Sequence, residues 1–282
     1  MAIADEITSS GTRFHSPFAE FFRRDPVLAG GAMFMALLII PTFSAMLIET
    51  RELSGRNVWA KPLKFELALA VYLATLAWFA AWLPEKFRTG RWFRIYIWII
   101  VACCVVEMVW IGGAAAAGTA SHFNNTNTFM AAVYPVMGVL AVTLTSASVV
   151  FAIHIHPNKT SGLAPAFKLS VVLGLILTFV LTVLVAGYIA SQPGHAIGVV
   201  ESERDGFPIF GWLRSGGDLR VAHFFSTHAL HFLPVVGFMA SSMRSQTKSM
   251  YAVWLAALLY LVFVAYTFVQ AIMAQPFAGF IA

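Results

Sequence analysis

The chain has 282 residues, 59% of them hydrophobic and only 11% charged, where an ordinary soluble domain carries roughly 25% charged residues. That balance excludes a soluble globular domain and a disordered chain, and it makes the protein a polytopic membrane protein. The net charge of +5 is read first as a topology signal, and no basic patch points to a nucleic-acid partner.

The N-terminal stretch MAIADEITSSGTRFHSP has no basic segment running into an apolar one, so a cleaved signal peptide is not expected. FHSPFAEFFRRDP follows, mixing four phenylalanines with Arg23 and Arg24. It predicts a short interfacial helix on the inner leaflet, or else an arm that docks a partner. Seven largely uncharged stretches come next, at about 27–48, 65–83, 95–117, 129–153, 169–190, 221–243 and 250–277. Each approaches the ~20 residues that a helix needs to cross the hydrocarbon core. Their length favours helix over strand, and the alternation of a barrel is missing. The expectation is an all-α bundle of seven transmembrane helices forming a single domain.

If EKFRTGRWFR faces the cytoplasm, eleven of the 18 Lys and Arg residues lie inside. The predicted orientation is therefore N-inside and C-outside. The connection SHFNNTNT carries no charge, which suits the outer side. The longest connection, 192–219, contains PGHAIG, ESERDG and FPIFGW and is expected to fold over the outer face as a lid.

Chemistry concentrates in GDLRVAHFFSTHALHFLP, Gly217 to Pro234. At 100° per residue, Arg220, His223, Thr227, His231 and Pro234 form one inward stripe, with His228 on its shoulder. His231 lies ~16 Å deeper than Arg220, and Pro234 predicts a kink that frees the Leu230 carbonyl. Imidazoles suit zinc, copper or iron, and His228 and His231 share a face at i,i+3. His223 stands ~12 Å above His231 along the axis, so one ion does not gather all three. A haem b would need a methionine or a second copy of the chain for its other axial ligand. Hydrogen bonding across helices and proton handling are the alternatives.

Glu107 is the acid in the middle of a span, and charges there are usually paired or functional. On depth it is expected beside His228, His231 and Arg220. Cys103, Cys104 and Trp110 share its face, and the two cysteines are read as packing residues. In NVWAKPLKFELALAVY, Lys61 and Lys64 sit at i,i+3, with Tyr72 two turns below Lys64. The lysines either snorkel to headgroups or join Arg220 in a basic entrance for an anionic or polar-headed molecule. The further alternative is pairing with Glu66, Glu49 or Asp218. Thr227, Tyr266 and Gln270 would line the same cavity. IGGAAAAGTA reads as a close helix approach.

WAKPLKF (Trp59 to Phe65) and GDLRVAHFFSTHALHFLPVVGF resemble the W-x-KP-x-KF and GDLR…H…HA…LP stretches of a group of bacterial multi-span membrane proteins. The resemblance implies a bacterial inner-membrane protein in which Lys61, Pro62, Lys64, Arg220, His223 and His228 matter together, and it supplies no role for any of them. A looser likeness to seven-span metal hydrolases of the progestin-receptor and alkaline-ceramidase type rests on a histidine pair in a late helix. That pair is i,i+4 there and i,i+3 here, so no residue carries over. The first functional expectation is a metal- or haem-dependent oxidoreductase or hydrolase built on His228, His231, Glu107 and His223. The second is a proton-coupled transporter or channel with His223, His231 and Glu107 as relay. The third is an accessory subunit of a larger membrane complex or homo-oligomer.

Overall fold

The computed structural model describes residues 16–277 apart from 201, 203 and 205. The reading of residues 1–15 as lacking a signal peptide, and the acids of ESERDG, lie outside the described residues. A short helix α1 (Pro17–Arg24) precedes α2 (Pro26–Ile48), α3 (Ala60–Phe79), a single-turn α4 (Glu85–Arg88), α5 (Arg91–Ala116), α6 (Thr128–Ile155), α7 (Pro165–Ala190), α8 (Leu219–Ala240) and α9 (Gln246–Ile272). A 3-10 turn, Ala80–Trp82, prolongs α3. Seven of these helices are long and apolar enough to cross a membrane. The protein is thus an all-α chain with seven candidate spans and a short helix before the first.

Several spans start earlier than their apolar stretches, because charged first turns hide the true boundary from hydropathy. Thus Lys61 and Lys64 belong to α3, Arg91 and Arg94 to α5, and Lys168 to α7. Helix starts follow local chemistry. The Asp25 carboxylate accepts the N–H groups of Val27 and Leu28 at 3.1 and 2.9 Å, with Pro26 at the first position of α2. Asn127 caps α6 and Asp218 caps α8 in the same way.

α1 does not simply rest on a leaflet. Phe21 and Phe22 pack against the core. Arg24 lies 3.6 Å over the Trp78 ring and donates to the Trp78 carbonyl at 2.7 Å, which ties α1 to the end of α3. α8 is helical through Pro234 from Leu219 to Ala240. At that level Thr178 of α7 accepts the Leu230 N–H at 2.9 Å. Small residues bring these two helices together. A Cβ on Gly174 would meet the Ala229 carbonyl oxygen at 2.9 Å, and one on Gly237 would overlap Ser170. The main core joins α2, α3, α5, α6, α7 and α8 around Leu28, Leu73, Ile100, Phe151, Leu175 and Leu230. Outward-facing Leu47, Val109, Leu184 and Phe238 are exposed and suit lipid.

The connections 49–59, 117–127 and 191–218 share the end opposite α1, the outer one by the charge rule. In the first, β1 (Glu52–Leu53) pairs antiparallel with β2 (Arg56–Asn57). Ser54 and Gly55 turn this hairpin with φ of 52° and 82°, both left-handed as a tight primed turn requires. In the last, β3 (Ala196–Ile197) pairs with β4 (Gly217–Asp218).

Candidate functional site

The 191–218 connection closes over this end, and Arg56, Lys64 and Arg220 are among the residues that hold it there. Arg56 donates to the carbonyls of Phe207 and Pro208 at 2.8 and 3.0 Å. Lys64 donates to Phe210 at 2.9 Å, and Arg220 to Gly211 at 2.7 Å. Trp212 and Leu213 are buried beneath. Lys64 and Arg220, read from the sequence as headgroup-snorkelling, entrance-forming or acid-paired cations, both contact the cover, and Arg220 is also matched by Asp218 at 2.7 Å.

Below the cover an aromatic column leads to the histidines. Phe210 stacks on Trp212 at 4.4 Å and meets Phe224 edge-on at 5.2 Å, and Phe224 lies 4.3 Å from the His228 ring. His228 and His231, one turn apart on α8, face each other with their Nδ1 atoms 3.0 Å apart. The other nitrogen of His231, Nε2, lies 3.0 Å from Thr75 Oγ1 on α3. His223 lies above them within electrostatic reach of His228, and its buried Nδ1 has no hydrogen-bond partner among the described residues.

A second cluster adjoins His223. Lys61 Nζ is 3.3 Å from His122 Nδ1, which also lies 3.0 Å from Ser121 Oγ. Both donors aim at one nitrogen, so that nitrogen accepts and the imidazole is neutral. Burial, with the charges of Lys61 and His223 adding to it, holds His122 down at about 3, far below the usual 6.5. Lys61 also acts electrostatically on Glu107, which is 4% exposed and has one carboxyl oxygen, Oε1, without a hydrogen-bond partner among the described residues. Among the charged groups, Lys61 is the one that acts on Glu107.

His122 was missed because SHFNNTNT reads as a polar loop. Its signal was present in the density of short polar side chains, which let a loop satisfy its own backbone and turn inward. Asn124 donates to Thr119 and Ala120, and the Trp110 indole donates to the Ser121 carbonyl at 2.8 Å.

The remaining candidates make contacts outside this set. Glu66, 3% exposed, accepts the Thr42 hydroxyl at 2.5 Å, joining α2 to α3. Glu49 pairs with Arg51 at 2.6 Å. The Tyr72 hydroxyl donates to Leu144 O at 2.9 Å and lies 3.2 Å from Ser148 Oγ on α6. Thr227 bonds to the Phe224 carbonyl of its own helix at 2.9 Å, and Gln270 to the Pro276 carbonyl at 2.9 Å. Tyr266 is exposed on the outside of α9.

The converging set is therefore Glu107, Lys61, His122, His223, His228, His231 and Thr75, a polar ladder across α5, α3, the 117–127 connection and α8. For a metal, the arrangement presents two imidazoles at its floor. Among the described residues no group of three or more His, Cys, Asp or Glu could hold an ion. For a haem, His231 would be the candidate ligand, and both of its ring nitrogens already have neighbours at 3.0 Å, Thr75 Oγ1 at Nε2 and His228 Nδ1 at Nδ1.

Fold and composition together define a seven-span integral membrane protein. Comparison with protein-family models, curated proteins and solved structures finds no match.

Proposed function

We propose that this protein is a proton-coupled membrane transporter or channel and that its polar ladder handles the proton. The observation that carries this reading is the imidazole pair His228–His231 inside the bundle, a proton-holding site with its Nδ1 atoms 3.0 Å apart and its far end closed by Thr75 Oγ1 at 3.0 Å from His231 Nε2. A neutral imidazole donates through one ring nitrogen and accepts through the other, so imidazoles in series can pass a proton on. His223 and His122 extend the series toward Lys61 and Glu107, and ionisable groups within spans mark ion and proton paths. The resemblance of the WAKPLKF and GDLR stretches to those of bacterial multi-span proteins supports reading them as one unit in an inner membrane. Lys64 and Arg220 fasten the same cover, and Lys61 and His223 flank the same His122.

The test is proton flux into proteoliposomes that carry a trapped pH-sensitive dye, under an imposed gradient. The expected result is flux that His231→Ala and Glu107→Gln each reduce at least about tenfold, the scale of 1.4 kcal/mol in a barrier. His156→Ala, at the opposite end of the bundle, leaves it unchanged. Flux indifferent to both ladder substitutions overturns the reading. The same preparation is scored for metal and for haem absorbance. A stoichiometric metal or haem lost in His231→Ala would replace proton coupling by a metal- or haem-dependent membrane enzyme.

A further inference from the structure

We infer that Thr75 is a positioning residue that sets the polarity of the histidine pair and leaves Nε2 of His228 as the atom through which the pair takes up a proton. The use of that polarity rests on the proton-handling reading, whereas the geometry behind it does not.

Thr75 Oγ1 lies 2.8 Å from the carbonyl of Val71, one turn back on α3, and 3.0 Å from His231 Nε2. A hydroxyl has one hydrogen and two lone pairs. The hydrogen goes to the nearer Val71 carbonyl, the usual back-bond of a threonine inside a helix. The oxygen then accepts from His231, so Nε2 of His231 carries a hydrogen. A neutral imidazole has only one N–H, and Nδ1 of His231 is therefore bare. That atom faces Nδ1 of His228 at 3.0 Å. Two bare nitrogens at this distance would repel, so His228 supplies Nδ1–H and its Nε2 is bare. One hydroxyl hydrogen thus fixes the state of both rings. Turning it toward His231 would invert every bond in the chain.

This polarity defines a site with one door. A proton arriving at Nε2 of His228 makes that ring cationic. The Nδ1–H bond of His228 can then break as an N–H bond forms at Nδ1 of His231, and the charge moves with the proton. It goes no further, because the Thr75 hydroxyl is committed to Val71 and only accepts. The pair holds one proton and returns it through His228. The neighbouring groups are consistent with a single door. His223 is the next imidazole along the ladder, and Phe224 covers a face of His228. On the packed sides, Thr178 of α7 accepts the Leu230 N–H and Tyr260 of α9 donates to the Phe225 carbonyl.

The experiment is solid-state NMR of the full chain, labelled with nitrogen-15 histidine and held in lipid bilayers at alkaline pH. Protonated and bare ring nitrogens give separate signals, assigned with single histidine substitutions. The expected pattern is Nε2–H on His231 and Nδ1–H on His228. Thr75→Val removes the acceptor at similar volume and should lower the Nε2–H to Nδ1–H ratio of His231 about tenfold. Thr75→Ser should keep the unaltered ratio. The opposite pattern in the unaltered protein, or an unchanged ratio in Thr75→Val, overturns the inference. Proton flux measured on the same chains separates the two claims. A tautomer shift in a protein that carries no proton retains the role of Thr75 and overturns the transport reading. Flux with unchanged tautomers does the reverse.

Discussion

Arg220 lays its guanidinium along the Asp218 carboxylate, with Nη2 2.7 Å from Oδ2 and Nε 2.9 Å from Oδ1. The same carboxylate accepts the N–H of Leu213 at 3.0 Å and caps α8 through the N–H of Arg220 at 2.9 Å. One buried side chain thus joins cover, helix start and cation. Burial works to raise the Asp218 carboxyl, but the hydrogen bonds and charge of Arg220 outweigh it and hold the group below its usual 3.8. A carboxylate lowered in this way contributes stability above the unfolded value, and that contribution is lost as pH falls through the lower folded value. Asp218→Asn keeps a competent cap while removing the charge. It should cost about 2–3 kcal/mol, below the range for a fully buried pair because Arg220 keeps part of its surface in solvent. Thermal unfolding in detergent, followed by tryptophan fluorescence, measures it. Asp218→Asn should also remove the part of the acid sensitivity expected below about pH 4 that comes from this carboxylate.

Lys64 and Arg56 grip the cover through main-chain carbonyls at 2.8 to 3.0 Å. Carbonyls can be held without regard to side-chain identity, so this part of the grip comes from the two cations. In Lys64→Met/Arg56→Met the cover should open more often. A reporter Leu213→Cys, at a position only 2% exposed, should then react with a membrane-impermeant maleimide about tenfold faster than in the unaltered background. Cys103 and Cys104, both buried, are replaced by alanine to remove background labelling. Equal reaction rates would show that the cover is held by its aromatic packing instead.

The seven spans and the short first helix were legible because lipid imposes a length and a composition on each crossing. The stripe on α8 was legible too, since 100° per residue fixes which side chains share a face. What periodicity cannot supply is the rotation of neighbouring helices. Depth alone placed Glu107 beside His228 and His231, and it did not single out Lys61, whose charge acts on Glu107 across the α3–α5 packing. Thr75 looked like an ordinary threonine in an apolar helix, and only the α3–α8 interface reveals its bond to His231. Lys64 and Arg220 were legible as functional cations, but carbonyl partners in a distant loop leave no mark in a sequence.

His122 gives the protein a built-in acid response. Burial and the Lys61 charge hold its imidazole at about 3 against an ordinary 6.5. Between those values the unfolded chain binds a proton that the folded protein refuses, so stability falls as pH drops through that window and levels off below it. His122→Asn removes the titrating ring. Its unfolding temperature should vary less between pH 7.5 and pH 5 than that of the unaltered protein. A variant with the same pH slope would assign the acid response to other groups.

The closest helix pair offers a control within one helix. Gly174 and Gly187 both lie in α7, yet a Cβ at 174 would meet the Ala229 carbonyl at 2.9 Å and the Leu230 Cα at 3.1 Å, while one at 187 meets nothing within 4 Å. The atoms facing Gly174 are backbone and cannot step aside as a side-chain tip can. Gly174→Ala must therefore push α8 away from α7, which loosens the segment that carries His228 and His231. Forced packing of this kind typically costs about 1–3 kcal/mol. Gly187→Ala meets no obstacle and gains helix propensity, about 0.5–1 kcal/mol in its favour. Unfolding by added denaturing detergent should place the two variants on opposite sides of the unaltered protein. Gly174→Ala should also shift the histidine nitrogen signals, because the 3.0 Å contact between His231 Nε2 and Thr75 Oγ1 on α3 depends on the position of α8 against its neighbours. If Gly174→Ala is as stable as the unaltered chain and its signals are unmoved, α8 has freedom that the α7 contact does not restrain.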